Sequence, residues 1–272
     1  MTDSALPFFS ASLDPGSSFA ELLRRVGPHN LPGVGLENPP QGTVEITHGT
    51  TVVAIRCEGG VVMAGDRRAT SGFSIASRRI EKVFPADDLS GVAIAGAAGP
   101  AIEMVKLFQT QLEHYEKVQG EVLSLEGKAN QLGQLVRSNL PAAMLGFAVV
   151  PLFAGYDRQR ARGRVFSFDV TGGRYEERDF QGQGSGSVHA RNWIKANWSE
   201  GLTAEEATGL ALRSLFAAAD EDAATGGPDL VRRIFPTVAV IGADGYLSME
   251  DEHVEALAQS LLAGPELGGV SR

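Results

Sequence analysis

The chain is poor in the residues that usually announce a site. Its 272 residues include one cysteine, Cys57, so no intrachain disulfide can form, and such usage fits a reducing compartment. Cys57 falls in an apolar strand pattern, which reads as a buried structural thiol rather than a nucleophile. The five histidines (29, 48, 114, 189 and 253) are scattered, with no pair at metal-ligand spacing, and no metal or cofactor is expected. Positive charge is also scarce: 24 Lys and Arg stand against 33 Asp and Glu, a net charge of −9. That balance argues against a nucleic-acid partner, which needs a basic patch or stripe. The densest basic stretch, residues 158–164, reads as a solvated loop. No window approaches the roughly 18 apolar residues of a membrane span. The opening MTDSALPFFSASLDPG has neither a basic start nor a long apolar run, so no secretory signal is expected. Cytoplasmic location is the expectation.

Familiar catalytic motifs are missing as well. The stretch FQGQGSGS (180–187) lacks the Lys-Ser/Thr of a phosphate loop, and Ser187 stands where a dinucleotide fingerprint needs its last glycine. It reads as a glycine-rich strand end. Asp220-Glu221-Asp222 resembles the start of a calcium loop, but Ala224 and Thr225 occupy positions that need a ligand and a glycine. Ser185 is not in a G-x-S-x-G elbow, so a Ser-His-Asp hydrolase is unsupported.

What is present divides into two regions. Residues 1 to about 42 carry Pro7, Pro15, Pro28, Pro32, Pro39 and Pro40 with interleaved glycines, and read as irregular chain with one isolated helix around 17–25. From Val44 onward the pattern is dense. Strands are expected at 50–56 (TTVVAIR), 61–64, 92–95, 147–155, 164–169, 174–181, 238–241 and 246–249. Helices are expected at about 100–117, with Ile102, Val105, Phe108, Leu112 and Tyr115 on one face, and at 124–140, 188–198, 203–220 and 252–262. Ser124 reads as an N-cap, and Thr203 with Glu206 has capping-box spacing. Strands grouped as hairpins and helices in consecutive pairs argue for an α+β fold. The expected architecture is two stacked antiparallel sheets between two helical layers.

One constellation carries chemistry. Gly49-Thr50-Thr51-Val52-Val53 opens the first strong strand, with Asp66 in MAGDRRAT, Lys82 in RRIEKVF and Gly96 in AIAGAAG following it. A threonine in a strand is commonplace. The combined spacing is not, and it is similar to that of proteasome β subunits, the threonine peptidases of the N-terminal-nucleophile class. The resemblance runs from Thr50 to about Leu262 through GTTVVAI, GVVMAGDRRAT, KVF, LEHYEK, AGYD, GSGS and DEDAATGGPD. The last stretch, followed by VRRIFPTVAVI, most resembles the actinobacterial branch.

The resemblance implies a four-layer αββα sandwich and a division into a removable propeptide, 1–49, and a catalytic domain, 50–272. An N-terminal threonine carries its own base, an α-amine that ordinarily titrates at about 7.7–8.0. That chemistry requires cleavage of the Gly49–Thr50 bond, and the resemblance implies that Thr50 Oγ1 attacks the Gly49 carbonyl itself. Register and the preceding glycine favour Thr50 over Thr51. Lys82 is then expected to favour the deprotonated nucleophile, Asp66 to hold Lys82 charged, and the Gly96 N–H to face the oxyanion. By the same resemblance Ser185, Asp222 and Thr225 support the amine; Thr225 departs from the serine common in the family but keeps the hydroxyl. Peptide is expected as an added strand along the backbones of Thr70 and Ala98. Ala69, Ile80, Phe84, Ile94 and Ala98 would line an apolar pocket and favour cleavage after hydrophobic residues.

The implied partners are proteasome α subunits and further β subunits in stacked heptameric rings, an ATPase ring, and unfolded or tagged protein substrates. Three alternatives stand beside this reading. An inactive β subunit is opposed by the presence of Thr50, Asp66, Lys82, Ser185 and Asp222. A bacterial HslV-type peptidase is shorter and fits the TGGPD region poorly. A more distant N-terminal-nucleophile amidase would show different partner spacing.

Overall fold

The computed structural model describes residues 49–263. The irregular segment and the helix expected at 17–25 lie outside the described residues. Twelve strands and six helices follow one another within the described span.

Two five-stranded antiparallel sheets form the centre. The first contains β1 (Thr51–Cys57), β2 (Gly60–Gly65), β10 (Phe180–Gly184), β11 (Thr237–Gly242) and β12 (Gly245–Ser248), in the order β10-β1-β2-β11-β12. The second contains β5 (Val83–Asp87), β6 (Ser90–Gly96), β7 (Val149–Asp157), β8 (Arg162–Phe168) and β9 (Arg174–Glu177), in chain order. A separate two-stranded ribbon joins β3 (Ala69–Ser71) to β4 (Ser74–Ser77).

Alternation along the strands explains the layers. Val52 and Ala54 of β1, Val61 and Met63 of β2, Ala93 of β6, Leu152 and Ala154 of β7, Val165 of β8, and Ala239 and Ile241 of β11 share one buried cluster between the sheets. The intervening residues point the other way. Val53, Ile55, Val62, Ala64 and Val238 pack against α4 (Ser187–Asn197), α5 (Ala204–Glu221) and α6 (Asp251–Ala263). Val92, Ile94, Phe153, Phe166 and Phe168 pack beneath α1 (Ala98–Gln119) and α2 (Leu125–Ser138). Side-chain direction alternates with period two, so a sheet covered on both faces must be apolar at every position. That is why β1 and β7 read as continuous hydrophobic runs. A short helix, α3 (Leu140–Met144), follows α2.

The expected four-layer sandwich is the observed fold. Four local expectations change. Residues 174–181 are not one strand: the chain breaks at Arg178-Asp179, β9 stays in one sheet and β10 pairs with β1 in the other. The ribbon β3–β4 and strand β5 carry no such signal in the sequence, because β4 (SIAS) is exposed at every position and β5 contains Pro85. Helix 124–140 ends at Ser138, and Pro141 opens the separate α3. The buried face of α1 keeps Val105, Phe108 and Leu112 of the expected stripe but is completed by Ala101 and Met104, with Ile102 and Tyr115 only half-buried. The capping box at Thr203 and Glu206 is present, and Ser124 caps α2 by accepting from Gly127 N–H.

Candidate active site

The start of β1, the end of β2 and the residues before β5 converge on one buried carboxylate. Asp66 is fully buried and follows β2 directly. Its Oδ1 accepts Thr51 N–H at 2.8 Å and the Lys82 ammonium at 2.6 Å. Its Oδ2 accepts Arg68 N–H at 2.8 Å and Gly226 N–H at 2.9 Å. Four donors on one carboxylate satisfy it without water, and they tie β1, the loop before β3, Lys82 and the 226 region together.

Lys82 is 2 % exposed, and its three N–H directions are accounted for. One goes to Asp66, a second to the Arg68 carbonyl at 2.6 Å, and the third faces the Gly49 carbonyl at 3.5 Å. Burial pushes the Lys82 pKa below its ordinary value, and the charge of Asp66 and the hydrogen bond that Lys82 donates to it oppose that shift. A lysine whose proton is loosened by burial and retained by one carboxylate suits a site where charge develops and disappears. The carbonyl that it faces belongs to the bond between Gly49 and Thr50.

Gly49 could be nothing larger. A β-carbon there would fall 2.0 Å from Ala224 Cβ and 2.5 Å from the Ala224 carbonyl oxygen. The Gly49 N–H donates to Thr70 Oγ1 at 3.1 Å, so the residue before the bond lies against β3. Thr50 itself is 5 % exposed, and its carbonyl accepts Ser185 N–H at 2.9 Å.

On the far side of Thr50 the Ser185 hydroxyl donates to Asp222 Oδ2 at 2.5 Å, and the Thr225 hydroxyl donates to the same oxygen at 2.6 Å. Asp222 is the C-cap of α5. Burial raises its pKa, but the Ser185 and Thr225 hydroxyls, the Ala224 N–H and the nearby His189 outweigh burial and hold it below the ordinary value. Asp222 is therefore an anion at neutral pH.

The structure thus brings Thr50, Asp66, Lys82, Ser185, Asp222 and Thr225 into one connected group. Gly96 ends β6 in the other sheet, joined to the site by Ile94 N–H donating to the Lys82 carbonyl at 2.9 Å. Its φ of +112° favours glycine, and a β-carbon would lie 2.1 Å from the Ala148 carbonyl oxygen. Of the expected pocket residues, Ala69, Thr70, Ile80, Phe84 and Ala98 are partly exposed. Ile94 is 4 % exposed and sits within the core cluster under α1, with Phe84 packed against that cluster.

Several participants are not legible in the sequence as such. The Thr51 hydroxyl, fully buried, lies 2.6 Å from Thr225 Oγ1 and accepts Gly186 N–H at 3.0 Å. A hydroxyl engaged on both sides is badly placed to attack, which favours Thr50 on geometry as well as register. The Arg68 carbonyl and the Gly226 N–H are main-chain groups and carry no side-chain signal.

A model of the proteasome subunit family matches residues 46–231. The chain belongs to that family. It is similar to the proteasome subunit beta of Acidimicrobium ferrooxidans, 56% identical over 259 residues that cover 94% of this chain and 93% of the relative. It is likewise 56% identical over 254 residues to the proteasome subunit beta of Streptomyces griseus, covering 93% and 90% of the two chains. The corresponding protein of Frankia casuarinae is 49% identical, over 92% of each chain. As a proteasome subunit the chain assembles with other proteasome subunits. Among the described residues no helix is long and apolar enough to cross a membrane.

Proposed function

We propose that the chain is the precursor of a catalytic β subunit, the threonine protease of the proteasome core, with Thr50 as its nucleophile. The observation that carries this reading is the third N–H of Lys82, aimed at the carbonyl of the Gly49–Thr50 bond. In the chain as written Thr50 has no free amine. Attack of Thr50 Oγ1 on the Gly49 carbonyl passes the hydroxyl proton, by way of a base or water, to the Thr50 nitrogen, transfers the acyl group to oxygen, and so releases the Thr50 amine. Water then hydrolyses the ester, freeing residues 1–49 and restoring the hydroxyl. The Lys82 ammonium stabilises the negative charge that develops during attack, and Asp66 keeps Lys82 charged; the 2.6 Å Lys82–Asp66 contact supports this reading.

In the matured subunit the same hydroxyl attacks the carbonyl of a bound peptide. The Thr50 amine serves as base, the Gly96 N–H faces the oxyanion, and Ser185, Asp222 and Thr225 hold the amine. Peptide runs along the backbones of Thr70 in β3 and Ala98 at the start of α1, with its preceding side chain toward Ala69, Ile80, Phe84, Ile94 and Ala98. The wall is apolar, and cleavage after hydrophobic residues follows. The subunit works in the cytoplasm in stacked heptameric β rings between α rings, fed with unfolded or tagged protein by an ATPase ring.

The test is Thr50→Ala, assembled with its α partner. The expected outcome is an intact mass retaining residues 1–49 and no hydrolysis of fluorogenic peptides. Processing and turnover at the unmodified rate would move the nucleophile elsewhere.

A further inference from the structure

Thr51 stands at the head of a hydrogen-bond relay that ends beside Thr50. Its Oγ1 accepts Gly186 N–H and lies 2.6 Å from Thr225 Oγ1, which lies 2.6 Å from Asp222 Oδ2. The same carboxylate oxygen receives the Ser185 hydroxyl at 2.5 Å. Each hydroxyl has one proton, and an ionised carboxylate only accepts. The Thr225 proton therefore points at Asp222, and the Thr51 proton must point at Thr225. By the same count the Ser185 proton goes to Asp222, not to the Thr50 carbonyl, which is 3.5 Å away. Ser185 Oγ is left with lone pairs only, beside the main chain of Thr50.

We propose that Thr51 is a positioning residue for the reaction at Thr50: its buried hydroxyl, held by the Gly186 N–H, donates to Thr225 Oγ1 and so fixes Thr225 against Asp222, the carboxylate that leaves Ser185 an acceptor for the amine released at Thr50. The inference rests on Thr50 being the nucleophile. Thr51 and Thr225 are both fully buried, so no water can replace a missing member of the relay. Valine at position 51 keeps the shape but leaves the Gly186 N–H without its acceptor and Thr225 Oγ1 without its donor. Thr225 Oγ1 can then rotate, and the geometry at Asp222 loosens.

The experiment uses β subunits assembled with α subunits, peptide hydrolysis at saturating and limiting substrate, and intact mass to confirm removal of residues 1–49. Thr51→Val is expected to lower kcat about tenfold with KM unchanged, whereas Thr51→Ser, which keeps the hydroxyl, stays within about twofold. Thr225→Val is expected to lower kcat as well, and adding Thr51→Val to it should cost nothing further, because both changes break one relay. Should Thr51→Val give no barrel, Thr51→Cys, a weaker donor of similar shape, is read by the same split. Normal kcat in Thr51→Val, or losses that multiply in the double variant, would overturn the proposal. A Thr50→Ala particle run in parallel separates the cases. If it is active, the nucleophile assignment fails; if it is dead while Thr51→Val is normal, only the positioning role fails.

Discussion

A side chain at position 49 has nowhere to go. The Ala224 main chain and side chain occupy the space a β-carbon would need, so glycine is required there by contact. Gly49→Val is therefore expected to displace the carbonyl from Lys82 and slow removal of residues 1–49 by at least about tenfold, read as retained precursor by intact mass. At Lys82 the expectation concerns turnover. Lys82→Met removes the charged donor and leaves Asp66 with an unneutralised buried charge, and kcat is expected to fall by about 100-fold or more. Peptide hydrolysis by particles whose subunits were expressed without residues 1–49 measures this apart from maturation. Thr50, Asp66, Lys82, Ser185, Asp222 and Thr225 can be grouped without coordinates because the resemblance to proteasome β subunits gives each a role and their side chains carry the chemistry. The Arg68 carbonyl and the Gly226 N–H cannot, since a main-chain donor or acceptor looks the same at every position. Thr51 is visible in the sequence only as a rival nucleophile. Its burial between Thr225 and Gly186 depends on the loop after β10, which local sequence does not specify.

Among the elements, α5 illustrates local control. Thr203 Oγ1 accepts Glu206 N–H at 3.2 Å, and the Glu206 carboxylate accepts Thr203 N–H at 2.8 Å. Thr203→Ala is expected to cost about 1 kcal/mol, measured as a lowered midpoint of thermal unfolding. Helix ends and apolar strands are legible because caps and periodicity act within a few residues. The ribbon β3–β4 is not, since its exposed SIAS strand lacks a buried face to pattern. The division of residues 174–181 into β9 and β10 is hidden for another reason. Both halves favour strand, and only the choice of partner, β8 or β1, separates them.

At the scale of the whole molecule, a buried cation holds the edge of one sheet to a helix. Arg164 is 2 % exposed; it donates to Asp157 at 2.9 Å and to both Glu176 oxygens at 2.8 and 2.6 Å, with Glu126 of α2 at 3.6 Å. Asp157 is held below its ordinary pKa: burial raises it, but the Arg160 N–H and the Arg164 guanidinium outweigh that. Glu176 is lowered chiefly by its hydrogen bonds from Arg164. Both carboxylates are more acidic folded than unfolded, so their stabilisation is complete above the ordinary values of 3.8 and 4.5 and is lost as pH falls through the depressed ones. Arg164→Met is expected to destabilise by about 3 kcal/mol at neutral pH, because it strands the buried Asp157 carboxylate without its cation, the exposed Glu176 adding little. Denaturant unfolding at pH 7 and near pH 3 checks the sign: the difference between variant and parent should shrink in acid.

The crossing between β9 and β10 binds these scales together. Only Arg178 and Asp179 separate the last residue in one sheet from the first in the other, and both carbonyls are gripped by Arg56 of β1. A hinge so short leaves no slack for the layers to slide. The strand that follows the proposed nucleophile is thereby latched at its far end to the opposite sheet, and the candidate site at its near end inherits the rigidity of that join.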